Sequence, residues 1–124
     1  MLGDSDLVGF VPTTDLRRAS AFYGDVLGLE QVDETPIAAL FDAKGTLLRA
    51  TLVESLTPAP FTILGWSVAA IEDEVRYLGE RGVMFERFPG MEQDEMGIWT
   101  TPGGDRVAWF RDPDGNILSL TQGT

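Results

Sequence analysis

The side chains available for chemistry are carboxylates, arginines and aromatic rings, because the chain of 124 residues contains no histidine and no cysteine. A Ser-His-Asp or Cys-His nucleophilic site is therefore excluded, as are zinc sites built on imidazole or thiolate ligands. Disulfide bonds are excluded for the same reason. Any bound metal would need oxygen ligands alone, which favours Mg²⁺, Ca²⁺ or Mn²⁺ over Zn²⁺.

Three aromatic residues in the second half of the chain could bind a flat ligand. Trp99 and Trp109 lie in neighbouring strand-like runs, and Phe110 follows Trp109 directly. In one interpretation some of these rings line a pocket and stack on the ligand. In the other they belong to the core and pack against the first helix.

An acidic segment over residues 89–97 is too long for a simple hairpin turn. As a flap over a pocket it would offer Met91 and Met96 as adaptable contacts. Its carboxylates could then attract a cation or act as a general base. The alternative, which we favour, is a solvent-exposed loop.

The formal net charge of −11 limits the partners of the protein. Residues 1–57 carry nine acidic and four basic side chains, and residues 58–124 carry eleven and five, so no acidic tail accounts for the imbalance. A charge of this size repels nucleic acids and anionic membranes, and it is compatible with a cationic ligand. No apolar stretch approaches ~20 residues, and the acidic N-terminus lacks a signal-peptide core, so we expect a cytoplasmic protein without membrane contact.

The elements that must position these residues occur in the same order twice. In the first half, a helix over 15–27 is predicted from the helical spacing of its apolar residues, with Asp15 among the capping residues and Gly28 at its end. Strands are predicted there over residues 7–11, 29–33, 37–41 and 46–53. After a linker over 55–60, the second half predicts a helix over 71–82 and strands over 61–68, 83–87, 97–101, 107–111 and 117–121.

The two halves superimpose in sequence. An offset of 55 residues places Thr13 on Val68 and Phe22 on Tyr77. The closing strands give a second alignment with a different offset, in which residues 45–49 superimpose on residues 115–119. This repeat predicts an α+β fold in which residues 1–124 form a single domain of two βαβββ modules. The modules span about 5–54 and 61–122, and their sheets are expected to enclose a shared cavity.

Two motifs resemble the vicinal oxygen chelate superfamily, which includes glyoxalases, bleomycin resistance proteins and extradiol dioxygenases. The residues Asp15-Leu16, Phe22-Tyr23 and Val26-Leu27-Gly28-Leu29 are similar to its opening helix. The run Phe110-Arg111-Asp112-Pro113-Asp114-Gly115-Asn116 is similar to its closing turn. The resemblance implies the two-module fold, a small-molecule ligand in the cavity and a homodimer. It selects no activity, because one scaffold serves lyases, epimerases, dioxygenases and metal-free drug binders.

By this resemblance, the superfamily's metal ligands would fall on Val8, Arg49, Ile63 and Ser119. Two of these residues are aliphatic, and the permanent cation of Arg49 would repel a divalent ion. Serine is a poor ligand, and the neighbouring residues offer no replacement. We therefore expect no metal and no other cofactor.

If these four residues face the cavity, strand alternation places further side chains there and turns Trp66 away, into the helix layer. The predicted ligand-binding residues are Phe10, Arg49, Thr51, Ser67, Trp99, Trp109, Phe110 and Ser119. Arg49 has two interpretations. It anchors a carboxylate, phosphate or enolate-like oxygen of the ligand, or it forms an internal salt bridge with Glu54, Glu92 or Asp94.

These observations favour a metal-independent small-molecule-binding protein of the glyoxalase/bleomycin-resistance type, which sequesters a drug or a metabolite. The alternative is a glyoxalase-like lyase or isomerase acting on a small carbonyl or enolisable substrate. Arg49 would then be the electrophile, and Glu54 or the acidic segment would supply the base. No catalytic residue is assigned. The third option, a structural or regulatory module without a ligand, is disfavoured by the retained pocket pattern.

Overall fold

The computed structural model describes all residues from 1 to 124, and these divide into two compact units, Met1–Thr57 and Pro58–Thr124. We call them the N-terminal unit and the C-terminal unit. Each contains one four-stranded sheet and repeats the order strand, helix, three strands. The predicted α+β class with two βαβββ modules is therefore confirmed. None of the helices is long and apolar enough to cross a membrane.

The sheet of the N-terminal unit has the strand order β1-β4-β3-β2, with β1 parallel to β4 and the other pairs antiparallel. Its elements are a 3-10 turn at Leu2–Asp4, β1 at Val8–Thr13, α1 at Leu16–Ser20, a π-helical turn at Ala21–Val26, β2 at Glu30–Thr35, β3 at Ala38–Ala43 and β4 at Thr46–Leu52. The predicted helix over 15–27 is thus an α-helix that continues as a wider π-helical turn.

The ends of this helical segment follow from two residues. The side chain of Asp15 accepts a hydrogen bond of 3.0 Å from the backbone N–H of Arg18, which satisfies one of the free donors of the first turn. Gly28 adopts a positive φ of 80° just beyond the last turn, a conformation that disfavours any residue with a side chain. Both signals were readable in the sequence.

The sheet of the C-terminal unit has the equivalent order β5-β8-β7-β6. Its elements are β5 at Thr62–Ser67, α2 at Ile71–Glu80, β6 at Trp99–Thr100, β7 at Arg106–Arg111 and β8 at Ile117–Gln122. The prediction of a strand over residues 83–87 is wrong, because this stretch makes only an isolated bridge between Phe85 and Phe110. The predicted strand over 97–101 shortens to two residues.

In each unit the helix packs against one face of the sheet. We call this the helix face and the opposite one the distal face. Alternation along β4 buries Leu48 and Ala50 on the helix face and leaves Arg49 on the distal face. On β7, Ala108 and Phe110 are buried on the helix face while Trp109 lies on the distal face. The hydrophobic core of each unit lies between the helix and the sheet.

Candidate functional site

The distal face of the N-terminal unit holds a cation among apolar side chains. Strand register places Arg49 between Phe10 on β1 and Leu40 on β3. Val8 lies beside Leu47 in the preceding row. Phe10 is 61% exposed, whereas Arg49 is half-buried. The sheet therefore presents a guanidinium group next to an open aromatic ring.

The guanidinium of Arg49 makes no hydrogen bond and no ion pair, although its unit carries nine acidic side chains. Glu54, the one proposed salt-bridge partner in this unit, is exposed. Thr51 follows on the same face, and its buried Oγ1 also lacks a hydrogen-bond partner. Five N–H donors of Arg49 and one hydroxyl group are thus available on this face.

The distal face of the C-terminal unit carries an aromatic cluster. The rings of Trp99 and Trp109 stack with centroids 6.1 Å apart and an interplanar angle of 28°. Phe88 meets Trp109 edge to face at 5.3 Å. Neither tryptophan is fully buried. Both tryptophans therefore lie on the face of their sheet opposite α2 and remain partly accessible.

Two depressions adjoin this cluster. The first has a volume of about 290 Å³ and is lined by Pro60, Phe61, Thr62, Phe88, Trp109 and Ile117. Phe61 is 64% exposed at its edge. The second has a volume of about 530 Å³ and lies between Trp99 and the segment around Glu92 and Asp94. An apolar depression and a more acidic one therefore flank the stacked tryptophans.

Ser119 and Gly65 complete this face. Ser119 is buried between Gly65 on β5 and Trp109 on β7. A Cβ atom on residue 65 would lie 2.6 Å from the Oγ of Ser119, so glycine is required for this close approach. In the next row Ser67 pairs with Thr121, which pairs with Val107.

The acidic segment is a braced loop. The side chain of Gln93 accepts a hydrogen bond of 2.8 Å from the backbone N–H of Phe88 and donates to the carbonyl oxygens of Glu86 and Gly97, also at 2.8 Å. Asp94 Oδ1 accepts from the backbone N–H groups of Met96 and Ile98 at 2.9 Å. Gln93 therefore ties both ends of the loop together, a role that its sequence context did not suggest.

The structure assigns the predicted site residues to three places. Phe10, Arg49 and Thr51 share the distal face of the N-terminal unit, and Ser67, Trp99, Trp109 and Ser119 share that of the C-terminal unit. Phe110 was wrongly included, because it is 0% exposed and packs against Phe85 on the helix face. Sequence reasoning missed Phe61 and Phe88. Phe61 directly precedes β5, and Phe88 lies in the stretch between α2 and β6. An aromatic residue next to the strands of this sheet was the available signal.

Trp66 lies in one row with Leu120 and Ala108, both buried on the helix face. It was expected to point toward the helix layer, and its row is consistent with that. Trp66 therefore does not belong to the aromatic cluster of Trp99, Trp109 and Phe88.

The residues at the expected metal positions do not fit a divalent ion. Val8 pairs with Leu47, and the equivalent pair in the second sheet is Thr62 with Ile117, because a bulge between Thr62 and Leu64 shifts the register by one residue. Ile63 is the extra residue of this bulge, and neither Ile63 nor Thr62 offers an anionic oxygen. One valine, one arginine and two hydroxyl groups do not provide the anionic oxygens that a hard metal ion needs. No group of three or more carboxylates converges anywhere in the chain.

Comparison with known families gives a match over nearly the whole chain. Residues 7–120 match the family described as Glyoxalase/Bleomycin resistance protein/Dioxygenase superfamily. No curated protein matches the sequence.

Solved structures with the same fold include three informative ones. TnmS3, an antibiotic binding protein from Streptomyces sp. CB03234, superimposes with a TM-score of 0.74 at 26% identity, covering 98% of this chain and 97% of that chain. A superfamily member from Sphaerobacter thermophilus DSM 20745 gives a TM-score of 0.74 at 25% identity, with coverages of 95% and 96%. The genomically encoded fosfomycin resistance protein FosX from Listeria monocytogenes gives 0.73 at 17% identity, with coverages of 95% and 92%. At that identity FosX shows the fold alone.

Proposed function

Because this chain belongs to the Glyoxalase/Bleomycin resistance protein/Dioxygenase superfamily, we propose that it is a metal-independent small-molecule-binding protein. Its ligand is an organic molecule with a flat apolar part, such as an antibiotic or an aromatic metabolite. The protein binds this molecule on the aromatic distal face of the C-terminal unit. It sequesters the ligand and does not transform it.

The observation that carries this proposal is the open aromatic cluster. Trp99 and Trp109 are stacked and Phe88 buttresses them, so the rings are held in place before a ligand arrives. Rigid aromatic surfaces bind flat molecules at a small entropic cost. The adjoining depression of about 290 Å³ has the size of a pocket for one ring system of a small molecule. A cluster of partly accessible aromatic rings beside the exposed Phe61, in a chain with a net charge of −11, favours a binding role over a packing role.

The similarity to TnmS3 supports the choice of ligand class. That protein is described as an antibiotic binding protein, and it matches this chain at 26% identity over nearly its full length. The proposal extends this property to the present chain. The aromatic cluster supplies a physical reason for doing so, because many antibiotics contain planar ring systems.

Sequestration is preferred to catalysis because the site lacks an evident acid–base pair. A glyoxalase-like lyase or isomerase would need a base close to Arg49. Within the N-terminal unit no carboxylate contacts that guanidinium, and Glu54 is exposed. On the distal face of the C-terminal unit, the sheet positions beside Trp109 and Trp99 carry a hydroxyl group and an aliphatic side chain.

Tryptophan fluorescence and thermal unfolding test the proposal. The probes are daunorubicin, which has a planar polycyclic ring system, bleomycin and fosfomycin, each measured in the presence of a chelator. We expect at least one ring-containing probe to quench the fluorescence and raise the unfolding midpoint. Trp109→Ala should remove both effects, whereas Trp66→Phe, on the helix face, should preserve them.

Enzymatic turnover of a substrate would overturn the proposal. Glutathione hemithioacetal is incubated with the protein and its conversion is followed by absorbance. Turnover of this substrate that is lost in Arg49→Gln, with no binding of any antibiotic probe, would identify the protein as an enzyme of the glyoxalase type.

A further inference from the structure

The N-terminal unit contains a guanidinium group, that of Arg49, that forms no hydrogen bond and no ion pair. Arg49 and Arg106 are the two arginines of the chain that are not exposed. Arg106 donates to Glu72 at 2.7 Å and lies 4.0 Å from an oxygen of Asp94. Arg49 has no such partner. A partly desolvated cation is normally paired, because removing its hydration is costly unless other groups replace the water.

The surroundings of Arg49 are apolar on both sides. Its neighbours across the sheet are Phe10 and Leu40, and Leu47 lies two residues before it on the same face. Phe10 is largely exposed, so its ring is accessible to a molecule that approaches the guanidinium. The face therefore combines one cationic point with a hydrophobic surface around it.

We propose that this face is a binding site for an amphipathic organic anion. The anionic head group is one with two oxygens side by side, as in a carboxylate or a phosphate ester, because the planar fork of arginine matches that geometry. The apolar body of the ligand rests on Phe10 and its aliphatic neighbours. The hydroxyl of Thr51, which also lacks a partner, lies on the same face as a further donor.

Because the unit is negatively charged, an anionic ligand can be recognised only by direct contact with the site. Nine acidic and four basic residues in 1–57 oppose the approach of an anion at long range. Binding must then depend on the contact with Arg49 and on burial of the apolar body. Small inorganic anions, which have no apolar body, should bind poorly. This ligand class goes beyond the antibiotic-binding proposal, and the site involves no residue of the C-terminal unit.

The test compares 2-naphthoate with 2-naphthamide, which share one ring system and differ in charge. Binding is measured by calorimetry and by the NMR signal of the Arg49 side-chain N–H. We expect 2-naphthoate to bind more tightly than 2-naphthamide and to shift the Arg49 signal. 2-Naphthyl phosphate serves as a second anion, and tighter binding of either anion than of the amide supports the site.

Substitutions distinguish a direct contact between Arg49 and the ligand from an effect of the net charge of the protein. Arg49→Gln should weaken 2-naphthoate binding by about tenfold or more, since a charge-assisted bidentate contact is lost, and should leave 2-naphthamide unchanged. Arg49→Lys keeps the charge and should restore part of the affinity. Arg17→Gln is the matched control, because it removes the same charge from an exposed helical position of the same unit. Thermal unfolding of each variant verifies that it is folded.

Two results would overturn the inference. One is an Arg49 signal that does not respond to millimolar 2-naphthoate. The other is an equal loss of affinity for 2-naphthoate in Arg49→Gln and Arg17→Gln. That result would mean that the net charge of the protein, and not a contact with Arg49, determines the affinity. The ring system of 2-naphthoate can also stack on Trp99 and Trp109, so the Arg49 side-chain signal is the measurement specific to this site. Its shift with 2-naphthoate should persist in Trp109→Ala, so a failure of the aromatic site and a failure of this one can be told apart.

Discussion

Ser119 on β8 lies so close to Gly65 on β5 that a Cβ atom on residue 65 would stand 2.6 Å from the Ser119 Oγ and 3.1 Å from its carbonyl oxygen. The two strands are paired neighbours, so the carbonyl oxygen cannot move away easily, whereas the Oγ can move by rotation of the serine side chain. Because residue 65 has no side chain, Ser119 fits closely against β5 on the distal face, next to Trp109 on β7.

Gly65→Ala should therefore destabilise the protein by about 1–3 kcal/mol, as expected for overpacking at a close contact. The free energy of unfolding is measured by urea denaturation. Gly79→Ala is the matched control, because no atom lies within 4 Å of that position in α2. The control should be neutral or stabilising by up to about 1 kcal/mol, since alanine favours helices. Combining Gly65→Ala with Ser119→Ala should recover part of the loss, and equal behaviour of the two glycine variants would contradict the packing argument.

Gln93→Ala should loosen the loop over residues 86–97. The substitution removes hydrogen bonds to the backbone of Phe88, Glu86 and Gly97 at once. We expect a loss of about 1–3 kcal/mol, the usual cost of leaving partly buried polar groups without partners. Hydrogen exchange should accelerate throughout the loop. Glu92→Ala, an exposed neighbour, should change stability by less than about 0.5 kcal/mol; equal effects of the two variants would show that the loop does not depend on this brace.

Asp112→Ala should destabilise the turn that precedes β8. Asp112 is buried, and its Oδ1 accepts hydrogen bonds from the backbone N–H groups of Asp114 and Asn116 at 3.0 and 2.9 Å. Its Oδ2 accepts from Asn116 Nδ2 at 2.9 Å. We expect a loss of about 2 kcal/mol or more in thermal or urea unfolding, because a charged acceptor of several bonds is removed. Asp105→Ala, at an exposed turn, provides the comparison, and a similar loss there would rule out the specific role of these bonds.

Features that a local rule decides could be predicted from the sequence. Apart from the extra strand predicted over residues 83–87, the order of elements in both units followed from hydrophobic periodicity and from turn residues. The cap of α1 followed from Asp15. Alternation also separates Trp109 from Phe110, which are consecutive and so lie on opposite faces. Assigning both to one binding surface was therefore an error that the same rule could have prevented.

Other features depend on contacts that no local pattern reveals. The bulge that leaves Ile63 as an extra residue next to Thr62 has no sequence signature, so the offset of 55 residues did not predict the pairing of Thr62 with Ile117. The stretch after α2 was predicted as a strand, but hydrogen bonds from Gln93 hold it as a loop. Only the structure shows that the Arg49 guanidinium has no ion-pair partner, because Glu54, Glu92 and Asp94 were all plausible partners from the sequence alone.

A homodimer is expected from the family resemblance. Sedimentation velocity at micromolar concentration should give a species of twice the 13.5 kDa chain mass. The edge strands, β1 and β2 in the first sheet and β5 and β6 in the second, leave backbone groups that a second chain could pair with. A single species at the mass of one chain would contradict this expectation.

Metal ions should leave the stability of the protein unchanged. The residues at the four expected ligand positions offer no carboxylate, and no three carboxylates converge elsewhere. An ion present at 100 times its dissociation constant would add about 2.7 kcal/mol to the free energy of unfolding and raise the midpoint by several degrees. We therefore expect midpoints within about 1 °C of each other in Mg²⁺, Mn²⁺, Ca²⁺ or Zn²⁺ and in chelator. An antibiotic probe that binds serves as the positive control for the assay. A metal-dependent rise that chelator reverses, and that Arg49→Glu enhances, would mean that this sheet face accepts a metal after all.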